Sequence, residues 1–99
     1  MEYLGKKDYG NILGFDSQPY SEYYYGTDIT PQEMSKYFKG CKLKEIGQLS
    51  DEYASVWLTC NKETVLITYY RAPKAGLKTS KKYFIGILDE HYAALKKNL

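Results

Sequence analysis

YASVWLTCNKETVLITYYR, residues Tyr53 to Arg71, decides how the rest of the chain is read. Its two runs are rich in Val, Ile, Thr, Tyr and Trp, side chains that suit a pleated, half-buried surface, and Asn61 to Glu63 separates them with polar turn chemistry. The stretch predicts a β-hairpin of strands 53–60 and 64–71. Setting Cys60 opposite Val65, Leu58 opposite Ile67 and Val56 opposite Tyr69 gathers one apolar stripe on one face, which a one-residue slip would lose. The other face carries Tyr53, Ser55, Trp57, Thr59, Leu66, Thr68 and Tyr70. It is mixed rather than polar, so it too is expected to be covered.

Immediately upstream, residues 41–49 alternate as a third strand, with Gly47 as a bulge position and Ser50-Asp51 as the turn. A two-residue turn sets Leu43 across from Leu58 and Cys41 across from Cys60. The pattern therefore brings together both cysteines of the chain. Proximity permits a disulfide, whereas a reducing compartment would keep the same pair as two small buried hydrophobes.

Before that strand, Thr30-Pro31-Gln32-Glu33 reads as a capping box with Pro at the first helical position, and Ile29 and Met34 sit where a hydrophobic staple requires them. Met34, Tyr37 and Phe38 share a face and Gly40 stands where a left-handed cap is usual, which predicts a helix over 30–39. A helix this short needs a sheet to dock on.

Residues 1–29 show no sustained period. They read as an irregular segment with weak strands at Asn11 to Asp16 and Tyr20 to Tyr25, expected to lie across the Trp57 face. Gly10-Asn11-Ile12-Leu13-Gly14 lacks the Lys-Ser or Lys-Thr ending of a phosphate loop.

Beyond Arg71, Ala72 to Lys78 leaves the sheet as a flexible connection. Phe84, Leu88, His91 and Leu95 recur at helical spacing, which predicts a C-terminal helix over 80–97 packed on one face of the sheet. Gly86 keeps a second reading open, a fourth strand at 83–88 before a shorter helix from Asp89. The expected architecture is thus one α+β domain over 1–99, an antiparallel meander of three strands, or four or more, with a capped helix before it and another after it. The helices are expected to cover the Cys41, Leu43, Val56, Leu58 and Ile67 face.

A chain of 99 residues is one domain's length. With 43% apolar and 26% charged residues, disorder is expected only at the ends. Tyr is the outlier, 12 against 3 Phe and 1 Trp, a bias toward aromatics that sit half in a core and half in water and are favoured at interfaces. The start of the chain has no signal-peptide pattern and the longest apolar run, Tyr83 to Leu88, is too short to span a bilayer, so an intracellular, soluble protein without a membrane partner is expected.

His91, the one histidine, is a base candidate with Cys41 or Cys60 as nucleophile, yet its place on the apolar stripe favours a core role, and no orienting third group is evident. One His and two unclustered Cys do not make a zinc site. No catalytic residue, metal or cofactor is therefore expected. Two non-enzymatic readings remain. In the first, Tyr53, Trp57, Leu66 and Tyr70 form a sheet face that meets a second copy, because so short a chain lacks the helix to cover both sides. In the second, Tyr70, Arg71, Lys74, Lys78, Lys81 and Lys82 bind a nucleic-acid strand through cations beside aromatics. A net charge of +2, and Arg71 as the one arginine, favour the first.

In length, in its Tyr-rich and Lys-over-Arg composition, and in its TPQE helix start and YASVWLTC/TVLITYY hairpin, the whole chain resembles the small orphan proteins encoded by filamentous and rod-shaped viruses of hyperthermophilic archaea. The resemblance implies an early or accessory viral protein, tolerant of heat and acid, acting in the host cell, with a host or viral protein as partner. It also raises the expectation of a Cys41–Cys60 bond, since intracellular disulfides are accepted in such organisms. The charged fraction departs from the dense charge networks of hyperthermophile proteins.

Overall fold

The hairpin at the centre of the sequence is the centre of one half of a six-stranded sheet. The computed structural model describes residues 1–10, 19–48 and 50–99. Its strands are β1 (Glu2–Tyr9), β2 (Tyr20–Thr27), β3 (Cys41–Gln48), β4 (Tyr53–Cys60), β5 (Glu63–Tyr70) and β6 (Tyr83–Leu88). They lie in the order β1-β2-β6-β5-β4-β3, with every neighbouring pair antiparallel. A turn of 3-10 helix (Pro31–Glu33) runs into α1 (Met34–Tyr37), and α2 (Asp89–Leu95) follows β6 directly. The fold is α+β, with more strand and less helix than the sequence suggested.

Asn61 and Lys62 both have positive φ, 49° and 72°, the geometry of a two-residue hairpin turn that matches strand twist. The turn is one residue shorter than expected. Leu58 therefore pairs with Val65 and Val56 with Ile67, and β5 runs over 63–70 rather than 64–71. A shift of two residues leaves every side chain on its expected face, so the apolar stripe survives the corrected register. Between β3 and β4, Cys41 pairs with Cys60 and Leu43 with Leu58 as anticipated. The bulge falls at Lys44, between Leu43 and Glu45, instead of at Gly47.

The C-terminal reading needs the largest correction. Residues 83–88 are strand and α2 starts at Asp89, which is the second reading that Gly86 kept open rather than the helix over 80–97, and β6 inserts between β2 and β5. Phe84, Ile85, Gly86 and Ile87 are all buried, because a central strand faces packing on both sides, and that two-sided burial mimics a helical stripe in the sequence. The N-terminal segment is corrected as well: β1 and β2 extend the sheet rather than lie across it. The weak strand at Asn11 to Asp16 falls outside the described residues.

The first helix is shorter than 30–39, and its box closes differently: the Thr30 hydroxyl donates to Glu33 Oε1 (2.8 Å) instead of reaching a backbone amide. Its buried Met34 and Phe38, with Leu95 of α2, pack on Val56, Leu58, Val65, Ile67, Ile85 and Ile87. Each such aliphatic side chain contributes about 1.5–3 kcal/mol on full burial, which is what holds two helices too short to persist alone. Leu43, expected beneath a helix, is instead 39% exposed. A disulfide joins Cys41 to Cys60 at the far end of the same hairpin.

Candidate functional site

Strand alternation divides β2 between the two sides of the sheet. Tyr23 and Tyr25 face the helices, where Tyr23 stacks on Tyr92 of α2 (3.8 Å between centroids) and the Tyr25 and Tyr92 hydroxyls lie 3.0 Å apart. Tyr20, Glu22 and Tyr24 face the other way, onto a side that none of the described helices covers. There Tyr24 is fully buried and Glu22 is 5% exposed.

Glu22 is buried because a glycine makes room for it. A Cβ at Gly86 would overlap the Glu22 carboxyl group and come within 2.8 Å of the Tyr70 ring. With that space open, the carboxyl group rests on β6 and is satisfied by phenols, Tyr24 donating to Oε1 (2.7 Å) and Tyr70 to Oε2 (2.5 Å). Tyr9 from β1 completes the chain, its oxygen 2.6 Å from that of Tyr24. A buried carboxyl group held this way meets the requirement that buried polar atoms be paired. Burial, reinforced by the hydrogen bonds to Tyr9 and Glu22, pushes the Tyr24 phenol above its ordinary range, and burial with the Glu22 hydrogen bond does the same to Tyr70.

Around this network the aromatic rings close over the sheet. Phe84 packs against Tyr24 (5.3 Å) and Tyr70 (6.2 Å), and Tyr53 against Tyr70 (6.3 Å). The connection between β5 and β6 lies over the same side, with Leu77 set against Gly5, the Thr79 side chain against Gly26, and Lys74 over the Tyr70 ring at 4.6 Å. A groove of about 580 Å³ remains beside it, walled by Tyr9, Tyr20, Glu22, Tyr70, Lys74 and Glu90.

The four residues expected at an interface are together. Tyr53 pairs with Tyr70 and Trp57 with Leu66 across β4 and β5, all on the side away from the helices and all half-buried. The basic set is spread among carboxylates and rings of its own chain. Lys81 faces Asp28 (3.9 Å), whose other oxygen accepts the Lys82 backbone N–H, and Arg71 shares a groove of about 350 Å³ with Asp51 and Glu52. Arg71, Lys74 and Lys78 are exposed. His91 lies half-buried on α2, 3.7 Å from the Glu90 carboxylate. The disulfide leaves neither cysteine as a thiol, so the Cys–His pairing considered above has no nucleophile. No group of residues suited to hold a metal occurs among the described residues, and none of the described helices is long and apolar enough to cross a membrane.

Sequence reasoning missed Glu22. The available signal was a lone acid at alternate spacing with Tyr20 and Tyr24 inside a strand of aromatics, with Gly86 in another strand to receive it.

Comparison of the chain with protein-family models, with curated proteins and with solved structures gives no match, and so nothing that bears on the resemblance to archaeal viral proteins.

Proposed function

We propose that this protein acts without catalysis, as an interaction module that associates with a second copy of itself through the sheet face bearing Tyr53, Trp57, Leu66 and Tyr70. The observation that supports this reading is the one-sided placement of the helices: α1 and α2 pack on one face, while on the other a tryptophan, a leucine and two tyrosines stand side by side across β4 and β5. Aromatic residues with a polar tip are enriched in such contacts.

Dimensions set the strength. The two strands that carry these residues, each eight residues long, make a patch of about 10 by 27 Å, or roughly 260 Å² when flat. A standard stable interface takes about 800 Å² from each partner, so a contact through this patch belongs to the weak, concentration-dependent class.

Sedimentation equilibrium over a wide concentration range tests the reading. The average mass is expected to rise with concentration for the unaltered chain and to stay at 11.5 kDa for Trp57→Lys, with far-ultraviolet circular dichroism showing that the variant remains folded. An unaltered chain that stays monomeric at every concentration overturns the proposal.

A further inference from the structure

The two outer strands of the sheet are built differently. Strand β1 holds one ion pair within itself, Lys6 with Asp8 at 3.4 Å, and Asp8 also accepts the Ser21 hydroxyl. Strand β3 holds none. Among the described residues neither Lys44 nor Glu45 makes an ion pair, and Leu43 and Ile46, each 39% exposed, are two of the four large apolar side chains there that are most open to water. One flank of β3 is bonded to β4; no described strand lies on the other.

The bulge arranges these four side chains. Leu43 pairs with Leu58 and Ile46 with Val56, both core residues, so the apolar pair shares the helix side of the sheet although three positions separate them. Lys44 and Glu45 together oppose Trp57 and so occupy the other side. In a regular strand Leu43 and Ile46 would point to opposite faces.

We infer that the free edge of β3 pairs antiparallel with the β3 edge of a second copy, about a two-fold axis passing between residues 44 and 45. In that register Leu43 stands opposite the partner's Ile46, and Lys44 opposite the partner's Glu45. The symmetry repeats both pairs. Facing residues then lie on the same side of the joined sheet, apolar against apolar and cation against anion. Moving the register by one residue sets Lys44 against the partner's Lys44, or Glu45 against the partner's Glu45. It also mixes the sides, so the sequence selects one alignment. Lysine and bulges are also the usual guards of an exposed edge. On β3 the lysine at the bulge finds a carboxylate across the two-fold, and the bulge is what brings the apolar pair to one side. The product is a continuous twelve-stranded sheet with both helix layers on the same face. The contact is made by the edge of β3 rather than by the Trp57 face, although Lys44 and Glu45 flank Trp57 there, and the inference stands without that face.

Charge exchange tests it on the full, disulfide-bonded chain by sedimentation velocity at low salt. Lys44→Glu sets two carboxylates against each other at both symmetric pairs, and Glu45→Lys sets two ammonium groups against each other there. Each variant alone is therefore expected to dimerise about tenfold or more weakly than the unaltered chain. An equal mixture of the two variants restores opposite charges at both pairs and is expected to regain the dimer, as is the double variant K44E/E45K. Single variants that dimerise like the unaltered chain, or a mixture no heavier than its parts, overturn the inference. Association abolished by Trp57→Lys but indifferent to these charge changes also overturns it and assigns the contact to the sheet face instead. A charge response that persists in Trp57→Lys supports the edge and removes the face.

Discussion

The two faces of this sheet solve the same problem with different materials. On the helix side Val56, Leu58, Ile67, Ile85 and Ile87 bury aliphatic volume against Met34, Phe38 and Leu95. On the other side the buried residues are Tyr24, Phe84, Glu22 and Ser55, and what closes over them is a set of phenols and the connection between β5 and β6. Aliphatic side chains need only shape, and the two phenols buried among them, Tyr25 and Tyr69, are paired with the Tyr92 hydroxyl and the Ile29 carbonyl. The aromatic layer needs an acceptor for each phenol, and Glu22 supplies two at once. Rings can therefore be buried on a sheet face without a helix over them, provided they carry their own hydrogen-bond partners.

The largest effect that sharpens this comparison is alkaline pH, because phenols are buried on both sides. Tyr24 on one face and Tyr25 and Tyr69 on the other are all raised by burial above the ordinary value of about 10. Below that pH the folded and unfolded chains hold the same phenolic protons and the contribution is complete. Above it the unfolded chain loses them and the folded chain does not, so stability declines steadily as pH rises toward the folded values. Three such groups together cost up to about 4 kcal/mol per pH unit, so a domain of ordinary stability, about 5–15 kcal/mol, should unfold cooperatively within about one to four units of pH 10. Ultraviolet absorbance at the phenolate band, followed with circular dichroism, checks this. Phenolate appearing gradually while the fold persists would show that these hydroxyls are open to water.

Next in size is Leu58→Ala, which removes volume from the aliphatic layer and is expected to cost about 2–5 kcal/mol in a urea titration. A cost near that of a surface change would mean that the helices do not press on β4. This layer is also the part of the fold most legible in the sequence. The alternation of Val56 and Leu58 against Val65 and Ile67 names the buried side whichever of two registers the turn selects, and the pairing of Cys41 with Cys60 follows from the same alternation. Strand β6 was less legible because a strand buried on both sides loses its alternation. Phe84, Ile87 and Leu88 then fit a helical period as well as a strand, and only Gly86 argues otherwise. The N-terminal hairpin was hidden by its chemistry, since Glu, Lys and Ser positions on β1 and β2 do not look like a buried sheet. The Glu22 site depends on four strands, β1, β2, β5 and β6, drawn from both ends and the middle of the chain, which no local pattern reports.

The smallest expected effect is the most specific to the aromatic side. Gly86→Ala adds one methyl group, and the backbone there has no positive φ to object, so any cost comes from what the methyl meets. It meets the Glu22 carboxyl group and the Tyr70 ring, and is expected to destabilise by about 1–3 kcal/mol. Gly47→Ala on the same side of the sheet is the control. Its added Cβ has nothing within 4 Å, and the change is expected to fall within about 0.5 kcal/mol of the unaltered chain. If the strain at residue 86 is relieved by displacing the carboxyl group, removing that group first should make the methyl cheaper to add. Gly86→Ala combined with Glu22→Ala is therefore expected to cost less than the sum of the two single changes. Strict additivity would assign the overlap to the Tyr70 ring alone and leave Glu22 free to move, in which case the aromatic layer would owe its burial to ring packing rather than to the acceptor beneath it.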